Sequence, residues 1–461
     1  MRLSPTAVVA AAIVIGAALL FAAVMLIAPP QPLLLSAAFD DAILTPNADG
    51  EGDVTNFRFA LSRAARVTLT LDDDGTRYVI RDDRPAAAGE YALAFSGVVA
   101  GYVLPDEDVE GDVERRVVPD GDYTWTFAVV DPESGERAEQ TGTLSVQGAE
   151  SDLPRLTGFT ISPTVFTPNQ DGVADRVAIN AYLHKPAEVT GYLIGPDGAE
   201  AYLSPRQTEI EPGDAGWQQF DYEGGVDIGA DPPPDGEYVV VIEAQDAVGQ
   251  RVSVRGNLSI ADGGKPRAGI LGQASGADVV FLAQPYDDAY FSDNAGFGER
   301  IPAPDDPTAN RLGQVVVPVG DMLVFLLYVE NYGSSAIRTD GPEPGTVYQQ
   351  SQVAAALGGI EQDGVWRVGI QCETSEESYP YRWAVGAFDQ LTRVEDEATD
   401  NVYYYLEPGQ RSVVWGAVRL TDIVRTTNPQ QCWAGLIHEG VAVANNRIGA
   451  RDILIADPNA D

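Results

Sequence analysis

Short segments with apolar residues at every second position recur along most of the chain. Phe57, Phe59 and Leu61 follow this spacing, and so do Val177 and Ile179. A period of two places these side chains on one face of a half-buried β-strand. The 47 glycines and 31 prolines also suit many short strands joined by turns. The pattern therefore predicts a mainly β protein in which long helices are not favoured.

Two phrases occur twice, about 120 residues apart, which indicates a duplicated domain. Thr-Pro-Asn-x-Asp-Gly-x-x-Asp spans residues 45–53 and again 167–175. Pro-Asp-Gly-x-Tyr spans residues 119–123 and 234–238, each time directly before an alternating segment. Because the alternating segments also follow one another in the same order, we expect two tandem copies of one β fold.

The phrases at residues 166–175 and 234–238 resemble the immunoglobulin-like domains of the flagellar hook-capping and gliding-motility C-terminal type. The resemblance covers about residues 38–148 and 154–262. It implies β-sandwiches of about seven strands. Such domains occur in bacterial surface and secreted proteins as spacer, sorting or assembly modules, not as catalysts. The first copy departs from the pattern at residues 42–44, Ala-Ile-Leu, and in an acidic insert at residues 105–116.

We predict Ig-like β-sandwiches at residues 38–150 and 154–262, followed by a linker or extended lead-in at 263–312. Aromatic residues such as Tyr286 indicate that part of this lead-in packs against something. A C-terminal β-rich sandwich domain is predicted at residues 313–458. Its Glu-Asn-x-Gly phrase at 330–333 resembles the β-sandwich modules of bacterial adhesion-related surface proteins. Within it we expect strands at 364–370, 382–388, 401–406, 412–420 and 453–455, and a helix at 349–357.

Residues 6–28 carry no charge and are close to the ~20 residues that span a bilayer as a helix. We predict one N-terminal transmembrane helix, within residues 1–30, that serves as a signal anchor. Arg2 precedes it and Asp40 follows it, which places the short tail in the cytoplasm. The alternative is a signal cleaved near residues 36–38. Either way, the bulk of the chain is predicted to be extracytoplasmic, and the anchored form is a single-pass protein of the cell membrane.

The net charge limits the possible partners, and the cysteine content indicates the redox compartment. The chain has 69 acidic and 29 basic residues and a formal net charge of -40, which repels nucleic acid and excludes it as a partner. Cys372 and Cys432 are the two cysteines. They suit a single disulfide in an oxidising compartment, although two unpaired buried thiols are the alternative.

The repeated loop offers oxygen-bearing side chains at its third, fifth and ninth positions. Oxygen donors at this spacing around a glycine are what Ca²⁺ requires. Asn and Asp also commonly bond the backbone of their own turn, which needs no metal. Both interpretations stay open, and calcium is the cofactor candidate. The six candidate ligands are Asn47, Asp49, Asp53, Asn169, Asp171 and Asp175.

The chain contains no nucleophile elbow, phosphate loop or dinucleotide fingerprint, so we predict that it is not an enzyme. We expect a membrane-anchored surface protein in which spacer domains present a C-terminal domain for adhesion or cell-envelope structure. Its partners would be other cell-envelope proteins or glycans. The alternatives are a tethered subunit of a larger membrane or envelope assembly and a secreted hydrolase with Ig-like accessory domains, whose cleft in the third domain would be lined by paired acids or by His438. Aromatics that could serve recognition or fill the core are Trp366, Tyr379, Tyr381, Trp383, Tyr403, Tyr404, Tyr405, Trp415 and Trp433.

Overall fold

The structure is a computed structural model, and nearly all of its regular structure is β-strand, which confirms the mainly β fold class. It describes residues 13–17, 31–73, 75–105, 107–207, 209–273, 276–292, 298–305, 313–358, 360–396 and 399–457. Residues 13–17 are helical, and the remainder of the predicted membrane helix lies outside the described residues. None of the helices in the described ranges is long and apolar enough to cross a membrane.

The first domain is a sandwich of two sheets. One sheet has the order β1-β3-β6, and the other has the order β2-β10-β9-β4-β5, with β2 parallel to β10. The apolar side chains of the alternating segments point into the space between the sheets, where Phe57 and Phe127 are fully buried. The strands are β1 Leu34–Phe39, β2 Ile43–Leu44, β3 Thr55–Leu61, β4 Ala65–Asp73, β5 Thr76–Ala86, β6 Gly89–Phe95, β7 Val98–Ala100, β8 Asp112–Val117, β9 Gly121–Val130 and β10 Arg137–Val146.

The second domain repeats this arrangement. Its sheets are β11-β13-β16 and β15-β14-β17-β18, with β12 parallel to β18. The shared strand order confirms the duplication and gives both domains the two-sheet arrangement of an Ig-like sandwich. The strands are β11 Leu156–Ser162, β12 Val165–Phe166, β13 Val177–Leu183, β14 Glu188–Ile194, β15 Glu200–Tyr202, β16 Gly216–Tyr222, β17 Gly236–Gln245 and β18 Arg251–Ile260, with a 3₁₀ helix at Val226–Ile228.

The repeated Pro-Asp-Gly-x-Tyr phrase forms the same turn in both domains. The Tyr123 hydroxyl donates to the Pro119 carbonyl oxygen at 2.7 Å. The Tyr238 hydroxyl donates to the Pro234 carbonyl oxygen at 2.8 Å. A tyrosine at the start of a strand that bonds back to the preceding corner is a hallmark of Ig-like domains. The phrase is therefore structural.

The third domain packs two larger sheets around a core that includes Phe325, Tyr348 and Trp383. In one sheet β19 and β20 both pair with β22, followed by β29 and β24, and the other has the order β21-β31-β30-β25-β23-β28-β27, with β26 on β25. The strands are β19 Ala268–Ile270, β20 Val280–Gln284, β21 Val315–Pro318, β22 Met322–Asn331, β23 Ile337–Thr339, β24 Val347–Gln349, β25 Trp366–Cys372, β26 Tyr381–Ala384, β27 Thr392–Asp396, β28 Asn401–Leu406, β29 Arg411–Arg419, β30 Gln430–His438 and β31 Ala442–Ala456. The 3₁₀ helices are Asp288–Tyr290, Ala354–Leu357, Phe388–Gln390 and Arg425–Thr427.

Several segments differ from the sequence-based expectation. The strand predicted at 382–388 ends at Ala384, and a 3₁₀ helix follows at Phe388–Gln390. The predicted linker at 263–312 contains β19 and β20, because the apolar residues of β20 are buried against the third domain. In place of the helix predicted at 349–357, the chain ends β24 and then forms only a 3₁₀ turn. Gly358, with φ at +85°, ends that turn.

Candidate functional site

The first repeated loop is held by its own hydrogen bonds. The Asp53 carboxylate accepts from the backbone N–H groups of Asn47 at 3.0 Å, Ala48 at 2.7 Å and Gly50 at 2.7 Å. Asn47 Oδ1 accepts from the Asp49 N–H at 3.0 Å. These backbone donors, Gly50 first, lower the pKa of Asp53. The loop forms a closed turn on the surface of the first domain.

The second repeated loop has the same internal bonds but is buried. Asp175 accepts from the N–H groups of Asn169 and Gly172, and Asn169 Oδ1 accepts from the Asp171 N–H at 3.0 Å. Asp171 is only 5% exposed because the loop docks onto the third domain. There the Tyr405 hydroxyl donates to Asp171 Oδ2 at 3.0 Å. The second copy is therefore a contact between domains.

In the described part of the chain, no group of three or more His, Cys, Asp or Glu side chains is placed to hold a metal ion. In both loops the aspartate closing the turn faces backbone N–H donors. Such donors repel a cation and stabilise the turn without one. The geometry favours the structural turn, and the calcium hypothesis stays a prediction.

Docking changes the titration of the second loop. Burial, with a contribution from the nearby Asp175 carboxylate, raises the pKa of Asp171 to about 6. Burial also raises the pKa of Asp175. The contact between the second and third domains therefore contains a carboxyl group that titrates in the mildly acidic range.

The backbones of the two domains approach closely at this contact. His438 Nε2 lies 2.7 Å from the Gln170 carbonyl oxygen. A Cβ atom on Gly172 would lie 2.1 Å from the Asp363 carbonyl oxygen. A Cβ atom on Gly364 would lie 2.1 Å from the backbone of the repeated loop. Both glycines have φ near +80°, so two positions without side chains make the contact sterically feasible.

His438 and Glu439 are placed for structure. His438 is 4% exposed, stacks on Trp366 with ring centroids 4.4 Å apart, and has a pKa lowered by burial. The Glu439 carboxylate accepts from Arg382 at 2.8 Å and from the fully buried Arg367 at 3.3 Å. A general acid or base must reach its substrate. The second domain covers His438, so this histidine offers no such access.

Most of the third-domain aromatics fill the core. Trp366, Tyr379, Tyr381, Trp383 and Trp433 are each at most 7% exposed. The tyrosines of β28 and Trp415 on β29 are half-buried. The buried rings are not exposed for recognition. Of the two alternatives, recognition and core filling, core filling therefore applies to them.

The two cysteines lie opposite each other on adjacent strands. Cys372 ends β25, and Cys432 is its register partner on β30. The structure joins them in a disulfide, which ties the two strands together 60 residues apart in sequence. The bond lies at the end of β25 that is away from the second domain.

The acidic insert of the first domain forms the other contact between domains. Its strand β8 pairs antiparallel with β18, so that Val113 lies opposite Val252 and Asp112 opposite Ser253. The Ser253 hydroxyl donates to Glu114 at 2.9 Å, and Val113 packs against the core of the second domain. The first domain thus extends the sheet of the second.

A buried glutamine completes this contact. Gln250 is 0% exposed, and its Nε2 donates to the carbonyl oxygens of Glu150 at 3.0 Å and Asp152 at 2.9 Å. Its Oε1 accepts from the Val117 N–H at 3.4 Å. Nothing in the local pattern distinguishes Gln250 or Tyr405 as contact residues. The acidic insert could have indicated a special role for this segment, because it interrupts the repeat in the first copy alone.

No protein-family model and no curated protein matches the chain. Among solved structures, fibronectin(III)-like modules of CbhA from Clostridium thermocellum are 11% identical, over 49% of this chain and 93% of that chain, with a TM-score of 0.18. A structure of a 1.5-MDa bacterial ice-binding adhesin is 10% identical, over 85% of this chain and 100% of that chain, with a TM-score of 0.18. The D00-D0 domain of Intimin is 10% identical, over 49% of this chain and 100% of that chain, with a TM-score of 0.16.

Likenesses of this size carry no argument about function. The Ig-like architecture of the first two domains follows from their own strand order and tyrosine corners. The finer resemblance to the hook-capping and gliding-motility type stays a prediction.

Proposed function

We propose that the chain is a non-catalytic, extracytoplasmic surface protein in which two Ig-like domains form a stiff stalk that presents the third domain. Its role would be in adhesion or in the structure of the cell envelope. The proposal rests on one observation: at both junctions the neighbouring domains contact each other directly. The first junction is a shared β-sheet, and the second includes the hydrogen bond from Tyr405 to Asp171.

Stiffness follows from how each junction is made. Domains joined by small polar interfaces move relative to one another by default. Here the first junction is a continuation of a β-sheet, and Gln250 is buried within it. The second junction buries Asp171 and His438 between the domains. Bending at either junction would break backbone pairing or leave buried polar groups unpaired, which is costly.

The sequence supplies the remaining support. The apolar segment at residues 6–28 would tether the stalk, and the strongly acidic composition suits an exposed, soluble surface. The resemblance of both Ig-like domains to spacer modules supports the same role. The partners would be envelope proteins or glycans that meet the third domain.

Surface labelling and distance measurement test the proposal. An epitope tag at the C-terminus should react with an impermeant antibody on intact cells. Spin labels at Ser145→Cys and Glu395→Cys should give one narrow distance distribution, because both native cysteines are in the disulfide and stay unlabelled. A tag accessible only after permeabilisation, or a broad distance distribution, would overturn the proposal.

A further inference from the structure

A polar cleft of about 330 Å³ lies in the third domain beside Cys372, at the end of β25 that is away from the second domain. β25 begins at Trp366, which pairs with His438 at the domain contact, and ends at Cys372, which borders the cleft. Cys372 lies six residue steps along the strand from Trp366, which corresponds to about 20 Å. If the stalk presents its third domain outward, this cleft is at the outer tip.

The walls of the cleft are held in place before any ligand arrives. The disulfide ties β25 to β30 directly beside it. Gln350 Oε1 accepts from the backbone N–H groups of Thr421 at 2.7 Å and Asp422 at 2.8 Å. The Tyr381 hydroxyl donates to the Gln350 carbonyl oxygen at 2.7 Å. A preorganised site loses less conformational entropy on binding, which favours affinity.

One buried side chain in this cleft has an unused donor. Gln430 lines the cleft and is 2% exposed. Its Oε1 accepts from the Thr374 hydroxyl at 2.5 Å. Within the described part of the chain, its Nε2 amide takes part in no hydrogen bond. The Nε2 atom itself is not fully buried, so its N–H groups are available to an acceptor on a ligand that enters the cleft.

The rim supplies the complementary groups. Glu376, Glu377 and Asp422 are exposed carboxylates that line the cleft, and no basic side chain among the described residues lines it. A ligand must therefore donate at the rim and accept at Gln430. A hydroxyl group does both, whereas the lysine and arginine side chains have no acceptor. Exposed carboxylates also gain little from pairing with a cation in water.

We propose that this cleft binds a neutral saccharide, with Gln430 donating to a ring hydroxyl and the rim carboxylates accepting from neighbouring hydroxyls. The proposal rests on the proposed surface role and names the ligand class of the presented domain. Pro380 and Tyr381 also line the cleft, but both are buried, so the expected ligand contacts are the hydrogen bonds at Gln430 and at the rim. The volume is near the lower end of about 300–1,000 Å³ for ligand pockets, which fits one or two rings.

Calorimetry on the full chain, purified in a detergent without a sugar headgroup, tests the proposal. The probes are glucose, galactose, mannose, N-acetylglucosamine and their disaccharides, with trilysine as a cationic probe. At least one saccharide should bind. Gln430→Met should weaken its binding at least about tenfold, by removing the donor. Glu376→Gln combined with Glu377→Gln should also weaken binding and, being exposed, leave folding intact. Glu237→Gln, on the surface of the second domain, is the matched control and should bind as the wild type does.

Three results would overturn the saccharide proposal: no probe binds, only trilysine binds, or saccharide binding is unchanged in the rim variants. None of these outcomes alters surface labelling or the interdomain distances, so the stalk proposal would still stand. Conversely, a cytoplasmic C-terminus would overturn the surface role without changing binding in solution.

Discussion

At the scale of single residues, burial separates two copies of one motif. Asp49 and Asp171 occupy the same position in the repeated loop, and each backbone N–H donates to the asparagine two residues before it. Asp49 is exposed, while Asp171 is covered by the third domain and accepts from Tyr405. The motif could be predicted from the sequence. Its different role in the second copy could not, because Tyr405 lies 234 residues away.

Replacing Asp171 by asparagine should remove a pH dependence of stability. The folded carboxyl group has a pKa of about 6, against 3.8 for the unfolded chain, so its contribution is full below about pH 4 and is lost as the pH rises through about 6. The free energy of unfolding of the wild type minus that of Asp171→Asn should fall by at most about 3 kcal/mol between pH 4 and pH 7. Urea unfolding followed by tryptophan fluorescence measures this difference.

His438 has the opposite effect on the pH dependence of stability, and its contribution must be separated from that of Asp171. Burial lowers its pKa, so the unfolded chain binds a proton below about pH 6.5 that the folded protein does not, and stability is lost as the pH falls. Both proteins in the comparison carry His438, so its contribution cancels in the difference. Parallel pH profiles for wild type and variant would show that Asp171 does not titrate as described.

Calcium should leave the melting temperature unchanged relative to a chelator, because backbone N–H groups already occupy the carboxylate oxygens of Asp53 and Asp175. Differential scanning calorimetry across a calcium titration checks this. A melting temperature that rises with calcium concentration would instead favour the metal interpretation of the loops. In that case Asp49→Ala should remove the part of the rise that belongs to the first copy.

At the scale of elements, the hairpin of β7 and β8 is the part of the first domain that has no counterpart in the second. Gly111 precedes β8 and has φ at +80°, and a Cβ atom there would lie 2.1 Å from the Ser253 carbonyl oxygen. The close approach of two backbones at this point depends on a residue without a side chain. The glycine therefore sets how β8 meets β18.

Gly111→Ala should loosen the junction between the first two domains. Gly135→Ala is the matched control, because Gly135 has φ at +72° but no atom of the described residues lies within 4 Å of its Cβ position. Both variants should lose about 1–2 kcal/mol from the left-handed backbone conformation. Only Gly111→Ala should also speed amide exchange in residues 112–117 and 251–253, measured by mass spectrometry. Equal exchange in the two variants would contradict the steric argument.

How well each strand could be predicted follows from its surroundings. β3 and β13 were predicted because buried side chains alternate with more exposed ones along each strand, which gives a period of two. β28 was predicted with its observed bounds, Asn401–Leu406. β27 was missed because its side chains are almost all exposed, so it has no apolar period. β8 was missed because its pairing partner belongs to another domain.

At the scale of the whole molecule, the net charge of -40 should make stability depend on salt. Like charges repel in the compact state, and the screening length falls from about 30 Å at 0.01 M to about 3 Å at 1 M salt. The melting temperature should therefore rise with sodium chloride at pH 7.

The salt effect has an internal control. Near the isoelectric point of about 4.1 the net repulsion is small, so the same salt series should shift the melting temperature much less. Melting curves at the two pH values supply the comparison. A melting temperature that falls with salt at pH 7 would mean that the surface ion pairs outweigh the net repulsion.

The strand that the first domain lends to the second also bears on the order in which the chain is made. β8 precedes the whole second domain in sequence, so it has already been synthesised when β18 appears. An uncovered edge strand invites pairing with other chains. Because synthesis starts at the amino end, β8 is already present to pair with the edge of β18 when that edge forms. The arrangement protects a growing chain from its neighbours, provided that the two domains keep their order.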